Sequence, residues 1–293
     1  MTNFKRLTSK KYNLKDSCSF SYKDNEYMMC TNCGCNDIYG GLAVLKLNKK
    51  TKIYDLYDIG FPGWTLLWAP FIKKIGNTLH VFFNDTGKGF DDWKDICNNQ
   101  RLKVTTYNIE TKEWGSIEDI IVGDNSFGII DGFIKKINKL YYMLYTDTQY
   151  YTTKKYLPII PKFIQNFLKI YKEKEHPDWD IYYAISTNLK GPFVNPIKLV
   201  NPEVVIEEAA NWNGNHIYWS QDDSELNSYI QRGVVVVNSD KSLTLIRDKE
   251  YKLEWNKSQT TTHPDSSSDG TIRCTLRELG DGPGRFYIGE LVK

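Results

Sequence analysis

At three places in this 293-residue chain an acidic residue stands just ahead of an aromatic or apolar run. Asp16 precedes Ser17-Cys18-Ser19-Phe20, Asp131 lies between Ile130 and Gly132-Phe133, and Glu207-Glu208 lead into Ala209-Ala210. Carboxyl groups brought to one cavity from separate parts of a chain can divide the work of cleaving a glycosidic bond. One takes a proton from water, one with a raised pKa protonates the leaving oxygen, and a third orients or tunes the donor. Asp131, flanked by Ile and followed by Gly-Phe, needs a partner if its strand start is buried. Asp16 has a second reading, as a surface or capping residue ahead of its strand. The period-2 alternation of a strand lets only one of Glu207 and Glu208 face a given side.

What must position these groups is visible in a repeat. Residues 71–86 read FIKKIGNTLHVFFNDT and residues 133–148 read FIKKINKLYYMLYTDT. Each copy is an aromatic, β-branched run, a short turn at Gly76-Asn77 or Asn138-Lys139, and a second run, which is a β-hairpin pattern. A self-match at fixed offset points to a repeat architecture. Weaker relatives occur at 18–31, at 204–220 around Asn213-Gly214, and at 258–275 around Asp269-Gly270. Most are followed by another hairpin, at 43–56, 103–116, 181–194 and 234–246. Two hairpins per unit make four strands, and radial four-stranded units make a β-propeller. The expected architecture is therefore all-β: a five-bladed β-propeller of four-stranded antiparallel blades, one domain over 1–293. Blades are expected near 17–58, 66–116, 127–200, 202–248 and 255–293, with residues 1–14 closing a last blade that is short of a strand.

One helical insertion, about 149–178, interrupts blade 3. Apolar residues at 163, 164, 167, 168 and 171 recur with helical spacing, and Pro161 suits a first turn, so a helix is expected over 161–175. It reads equally as packing on the blade rim or as a wall over the axial pocket.

The composition, 41% hydrophobic and 14% aromatic, is that of a globular β protein. A net charge of +2 argues against nucleic acid as a partner, and no run is long and apolar enough to span a membrane. The first residues, MTNFKRLTSKKYNLKDS, carry no apolar signal core, so a cytoplasmic location is expected, with Cys18, Cys30, Cys33, Cys35, Cys97 and Cys274 as reduced thiols. Cys30, Cys33 and Cys35 have ligand-like spacing for zinc, but there is no second CxxC pair. Ser267–Ile272 is superficially like a sialidase Asp-box, but its spacing is wrong and no Trp follows.

The strand starts carry a resemblance. Trp68-Ala69-Pro70 in blade 2, Asp16-Ser17 in blade 1, Asp131-Gly132 in blade 3 with its Gly191-Pro192-Phe193 turn, and Glu208-Ala209-Ala210 in blade 4 stand in the order of a known set. The chain resembles the five-bladed propeller glycosidases of glycoside hydrolase family 43 and its clan. That family has Asp-Pro, Trp-Ala-Pro, Asp-Pro and Glu-Gly-Pro at these places. Here neither Asp-Pro is intact and Glu-Gly-Pro has become Glu-Ala-Ala, losses that touch stiffness more than chemistry. The resemblance implies an inverting glycosidase for an arabinofuranoside or xyloside in an oligosaccharide or polysaccharide. Asp16 would be general base, Glu208 general acid (Glu207 if the register shifts by one), and Asp131 would hold the acid's position and pKa. It implies carboxyls ~6.5–9.5 Å apart, a carbohydrate substrate, no required cofactor, and a structural calcium at the propeller axis near His263. His263 reads equally as a structural histidine. Trp68 and Trp212 could stack on a sugar ring or pack between blades. The alternative function is a non-catalytic carbohydrate-binding propeller or a partner in polysaccharide assembly. A glycoside phosphorylase would need a basic phosphate pocket, and no Arg/His cluster supplies one.

Overall fold

The structure is a computed structural model. It describes residues 3–64, 66–87, 92–123, 128–148, 150–156, 160–169, 171–177, 179–199, 206–222, 228–252, 264–266, 271–278 and 285–292. The chain opens with β1 (Asn3–Arg6). Blade 1 follows as β2 (Asn13–Tyr22), β3 (Asn25–Gly34), β4 (Leu42–Leu47) and β5 (Tyr54–Gly60). Blade 2 holds β6 (Leu67–Ile75), β7 (Thr78–Asp85), helix α1 (Trp93–Asn99), β8 (Arg101–Asn108), and the short β9 (Glu113–Trp114) and β10 (Glu118–Asp119), both paired with β8. Blade 3 starts with β11 (Ile129–Ile137) and β12 (Leu140–Asp147). An insertion follows, of β13 (Tyr150–Tyr156), α2 (Lys162–Leu168) and β14 (Tyr171–Pro177), and then β15 (Asp180–Ser186) and β16 (Val194–Lys198). Blade 4 is β17 (Ile206–Asn213), β18 (His216–Asp222), β19 (Ser228–Val237) and β20 (Leu243–Lys252). Blade 5 is β21 (Asp265–Ser266), β22 (Ile272–Glu278) and β23 (Arg285–Val292), with β1 as its fourth strand.

The five-bladed propeller expected from the doubled hairpin is what forms. All strand pairs in the sheets are antiparallel, and β1 pairs with β23 from Asn3↔Val292 to Arg6↔Gly289, so the two chain ends share a blade. The first hairpin of each of blades 1 to 4 is made possible by residues that tolerate φ > 0. Lys23 and Asp24, Gly76, Asn138 and Gly214 sit at those turns with φ between 42° and 58°.

Five buried clusters fill the gaps between the blades. Met29, Val44, Val81 and Phe83 join blades 1 and 2; Phe82, Val104, Ile134 and Met143 join 2 and 3; Leu144, Tyr183, Ile217 and Trp219 join 3 and 4. Tyr218, Ile230, Ile272 and Cys274 join 4 and 5, and Leu7, Leu14, Met28 and Ile288 join 5 and 1. Truncating one of the fully buried aromatics, such as Phe82, to Ala costs ~3–5 kcal/mol in a site of this kind.

Two helical details differ from expectation. The insertion in blade 3 is not one helix over 161–175. Its helix runs Lys162–Leu168 and ends where Lys169 turns left-handed, φ 54°, its backbone N–H returning to Asn166 O and Gln165 O. Residues 171–177 then pair back onto 150–156, placing Lys154 opposite Glu173 and Thr152 opposite Glu175. The apolar spacing was real for two turns, but Lys, Glu and Lys at 172–174 alternate with period 2. The second helix, α1, starts at Asp92, whose carboxylate accepts from Lys94 N at 2.8 Å and Asp95 N at 3.4 Å. Among the described residues no helix is long and apolar enough to cross a membrane.

Candidate active site

The innermost strands β2, β6, β11 and β17 share one irregularity. Lys15 is opposite Thr31 and Cys18 opposite Met29, so Asp16-Ser17 face a single residue of β3. The same two-against-one step occurs at Ala69-Pro70, at Asp131-Gly132 and at Ala209-Ala210. Each is a β-bulge, which bends the strand and re-aims a side chain. Asp16, Ala69 and Asp131 have φ of 52°, 50° and 60°. Left-handed backbone is tolerated by Asp better than by most residues, so the bulge itself favours Asp at this place. Gly132 has a local cause too: a Cβ there would stand 2.6 Å from a Leu102 methyl carbon.

Both bulge carboxylates are buried, Asp16 to 5% and Asp131 to 1% exposure. The two bulges are held by side chains of the second strands, at the Asp16 carboxylate and at the backbone N–H groups of Asp16 and Asp131. Thr31 Oγ1 donates to Asp16 Oδ2 at 3.1 Å and accepts from Ala69 N at 3.1 Å. Asn84 Oδ1 accepts from Asp131 N at 3.0 Å, while Asn84 Nδ2 donates to Ile129 O at 2.6 Å. Thr275 Oγ1 accepts from Asp16 N at 2.7 Å. Thr275, Thr31 and Asn84 therefore tie blade 5 to 1, 1 to 2 and 2 to 3 at the level of the bulges. Below them Asp265 accepts from Ser19 N at 2.8 Å and from Asn211 Nδ2 at 3.2 Å, joining blades 1, 4 and 5.

A lysine completes the group. Lys15 Nζ lies 3.3 Å from Asp16 Oδ2 and 4.6 Å from the centre of the Trp68 ring. Burial works against its ammonium, but Asp16 first, then Cys33 and Asp131, outweigh it and raise its pKa. Lys15 thus links the blade 1 carboxylate to the blade 2 tryptophan.

Such a ring at the mouth of a five-bladed propeller invites comparison with known proteins. No protein-family model matches the sequence, and no curated protein matches it. Solved structures do match. The α-L-arabinofuranosidase of Lactobacillus brevis aligns with TM-score 0.63 at 12% identity, over 94% of this chain and 90% of that one. Zg3597, a family 117 glycoside hydrolase produced by Zobellia galactanivorans, aligns with TM-score 0.63 at 11% identity, over 99% and 89%. CoXyl43, a GH43 β-xylosidase/α-arabinofuranosidase from a compost microbial metagenome, gives 0.59 at 14% identity, over 100% and 96%. The fold is the one these glycosidases share.

Among the candidates from the sequence, Asp16 and Trp68 are brought together around Lys15, and Asp131 holds the bulge position of blade 3 equivalent to that of Asp16 in blade 1. Glu208 stands on β17 opposite Ser220, the register position of Lys15, Trp68 and Ile130 in the other blades, with Glu207 one place before it. The side chains of Glu207 and Glu208, and all of His263, lie outside the described residues. Trp212 is not gathered with the others. It lies past the bulge, opposite Ile217, packed with the blade 3–4 core and with Lys135 Nζ 4.8 Å from its ring centre. All six cysteines are free thiols, and among the described residues no group of three His, Cys, Asp or Glu could hold a metal ion. They thus supply no zinc site at Cys30, Cys33 and Cys35.

Sequence reasoning did not find Lys15, Thr31, Asn84, Thr275 or Asp265. Lys15 had a weak signal, being the residue before a candidate Asp. Thr31, Asn84 and Thr275 look in the sequence like ordinary polar positions of a strand; only the blade register reveals that they occupy one level.

Proposed function

We propose that this protein is a glycoside hydrolase that acts with inversion on a pentose glycoside, an arabinofuranoside or xyloside, in an oligosaccharide or polysaccharide. The observation that carries the reading is the pair of equivalent bulges, which bury Asp16 and Asp131 at the same place in two blades, with Lys15 against Asp16 and over Trp68. The arabinofuranosidase and xylosidase named for the similar structures support the sugar class. In this reading Asp16 takes the proton of the attacking water. Glu208 protonates the leaving oxygen, and Asp131 orients that acid and sets its pKa. Thr31 fixes the rotamer of Asp16, so one carboxylate oxygen stays aimed at the water. Trp68 offers an apolar face to the sugar. The chemistry needs only water, and no step is routed through a metal.

The Lys15–Asp16 ion pair favours a second reading. A carboxylate engaged by an ammonium is a weaker base, as expected of a propeller that binds a glycan without cleaving it. A panel of nitrophenyl arabinofuranosides and xylosides separates the two. The first reading expects turnover that Asp16→Asn lowers by ~10²–10⁴-fold. The second expects glycan binding with no turnover on any sugar.

A further inference from the structure

Exposed hydrophobic side chains matter when they are grouped and held still. Ile38, Tyr39 and Trp64 are 43%, 65% and 40% exposed, and they come from two loops that meet. Gly41 N donates to Trp64 O at 2.7 Å and Gly63 N to Tyr39 O at 3.1 Å. The register Asn13↔Gly34 and Leu42↔Gly60 puts both loops at the end of blade 1 where its innermost strand starts, the end that carries Asp16.

The scaffold beneath them is rigid. Cys35 and Ile38 exchange two backbone hydrogen bonds, at 3.0 and 2.9 Å, across left-handed Asn36 and Asp37. Asn32, buried, donates to Ile38 O at 3.1 Å and Gly40 O at 2.8 Å. Its neighbour Thr31 is the residue that donates to Asp16. Gly41, φ 79°, lies so close to the other loop that a Cβ would stand 2.1 Å from Gly60 O. A run of left-handed residues held by its surroundings is the kind of strain that collects at ligand clamps. Trp64 is four residues ahead of Trp68, at most ~14 Å of extended chain.

We propose that Tyr39, Trp64 and Ile38 form a sugar-stacking platform for the part of an oligosaccharide that extends beyond the bond at Asp16. It makes the protein selective for a glycan chain over a single sugar. The occupant is carbohydrate because two of the three side chains are aromatic and their loops stand at the end of blade 1 that carries Asp16, with Asn32 beside Thr31 beneath them. The inference rests on the glycosidase reading of that site and extends it to the substrate's length.

The test compares wild type, Tyr39→Ala and Trp64→Leu on a nitrophenyl monoglycoside and on linear arabino- and xylo-oligosaccharides. The expected result is a loss of about tenfold in kcat/KM on the oligosaccharide, about 1.4 kcal/mol, with the monoglycoside rate unchanged. An unchanged oligosaccharide rate, or an equal loss on both substrates, overturns the platform while leaving the hydrolase in place. If no glycoside is cleaved, calorimetric titration with the same oligosaccharides decides. Binding weakened by both variants sustains the platform although the hydrolase reading has failed; no binding, or unweakened binding, overturns it. A concentration-dependent dimer abolished by Tyr39→Ala overturns it in favour of a second copy of the chain.

Discussion

With its ammonium 3.3 Å from Asp16 Oδ2, Lys15 favours the ionised carboxylate, the form a general base must hold at the start of the reaction. The sign of its removal follows. In Lys15→Met the pKa of Asp16 rises, so the acid limb of the kcat/KM profile moves to higher pH; a limb that stays in place would mean Asp16 is not the group it reports. Thr31→Val keeps the shape but leaves Ala69 N unpaired and removes one hydrogen-bond donor from the Asp16 carboxylate. We expect ~1–3 kcal/mol of lost stability by denaturant titration, together with a fall in kcat. Glu208→Gln should be distinguishable as loss of an acid. Rates on a dinitrophenyl glycoside, whose leaving group needs little protonation, should fall far less than the ~10²–10⁴-fold expected on a natural glycoside. Asp16 and Asp131 were legible in the sequence because an acid beside aromatic and apolar residues is chemically out of place. Lys15 was not, since a lysine near a strand end is unremarkable until Trp68 of the next blade and Asp16 are seen around it.

At the scale of the element, the bulge explains the family-like motifs better than their residues do. What the strand start requires is a left-handed residue and, in blade 3, a following one small enough for the neighbouring blade. Asp16, Ala69 and Asp131 meet the first need, and Gly132 meets the second against Leu102 of blade 2. Gly132→Ala pushes a methyl into Leu102 and should cost ~1–3 kcal/mol, read from the shift in urea midpoint. A neutral result would show that β8 can yield at that point. The hairpins could be read from alternation and turn residues, so the repeat at 71–86 and 133–148 gave both fold and frame. The bulges could not, because a one-residue mismatch in pairing exists only between two strands. Nor could the true length of α2, which a left-handed Lys169 ends inside a periodic run.

For the molecule as a whole, the ring is closed by β1 on β23 and by Thr275 on Asp16, so the chain's two ends and its candidate base belong to one structure. Deleting residues 1–6 removes the fourth strand of blade 5. A loss of several kcal/mol, roughly 5–10 °C in Tm, is expected by calorimetry. The buried thiols give the fold a pH dependence. Burial first, with Asp265 beside Cys18, raises the pKa values of Cys18 and Cys274 above the ordinary 9.0. The unfolded chain then sheds protons that the folded chain keeps, so this contribution is intact below pH 9 and declines as pH rises beyond it. Urea midpoints measured from pH 7 to 10.5 should fall above 9, and less so in Cys18→Ala/Cys274→Ala.

The most direct test of the account follows the anomeric proton of the released sugar by NMR during hydrolysis of an arabinofuranoside or xyloside, in wild type and in Asp16→Asn. The account predicts that wild type releases the sugar with inverted configuration and that Asp16→Asn slows release by ~10²–10⁴-fold. A product of retained configuration, or an Asp16→Asn variant as fast as wild type, would contradict it.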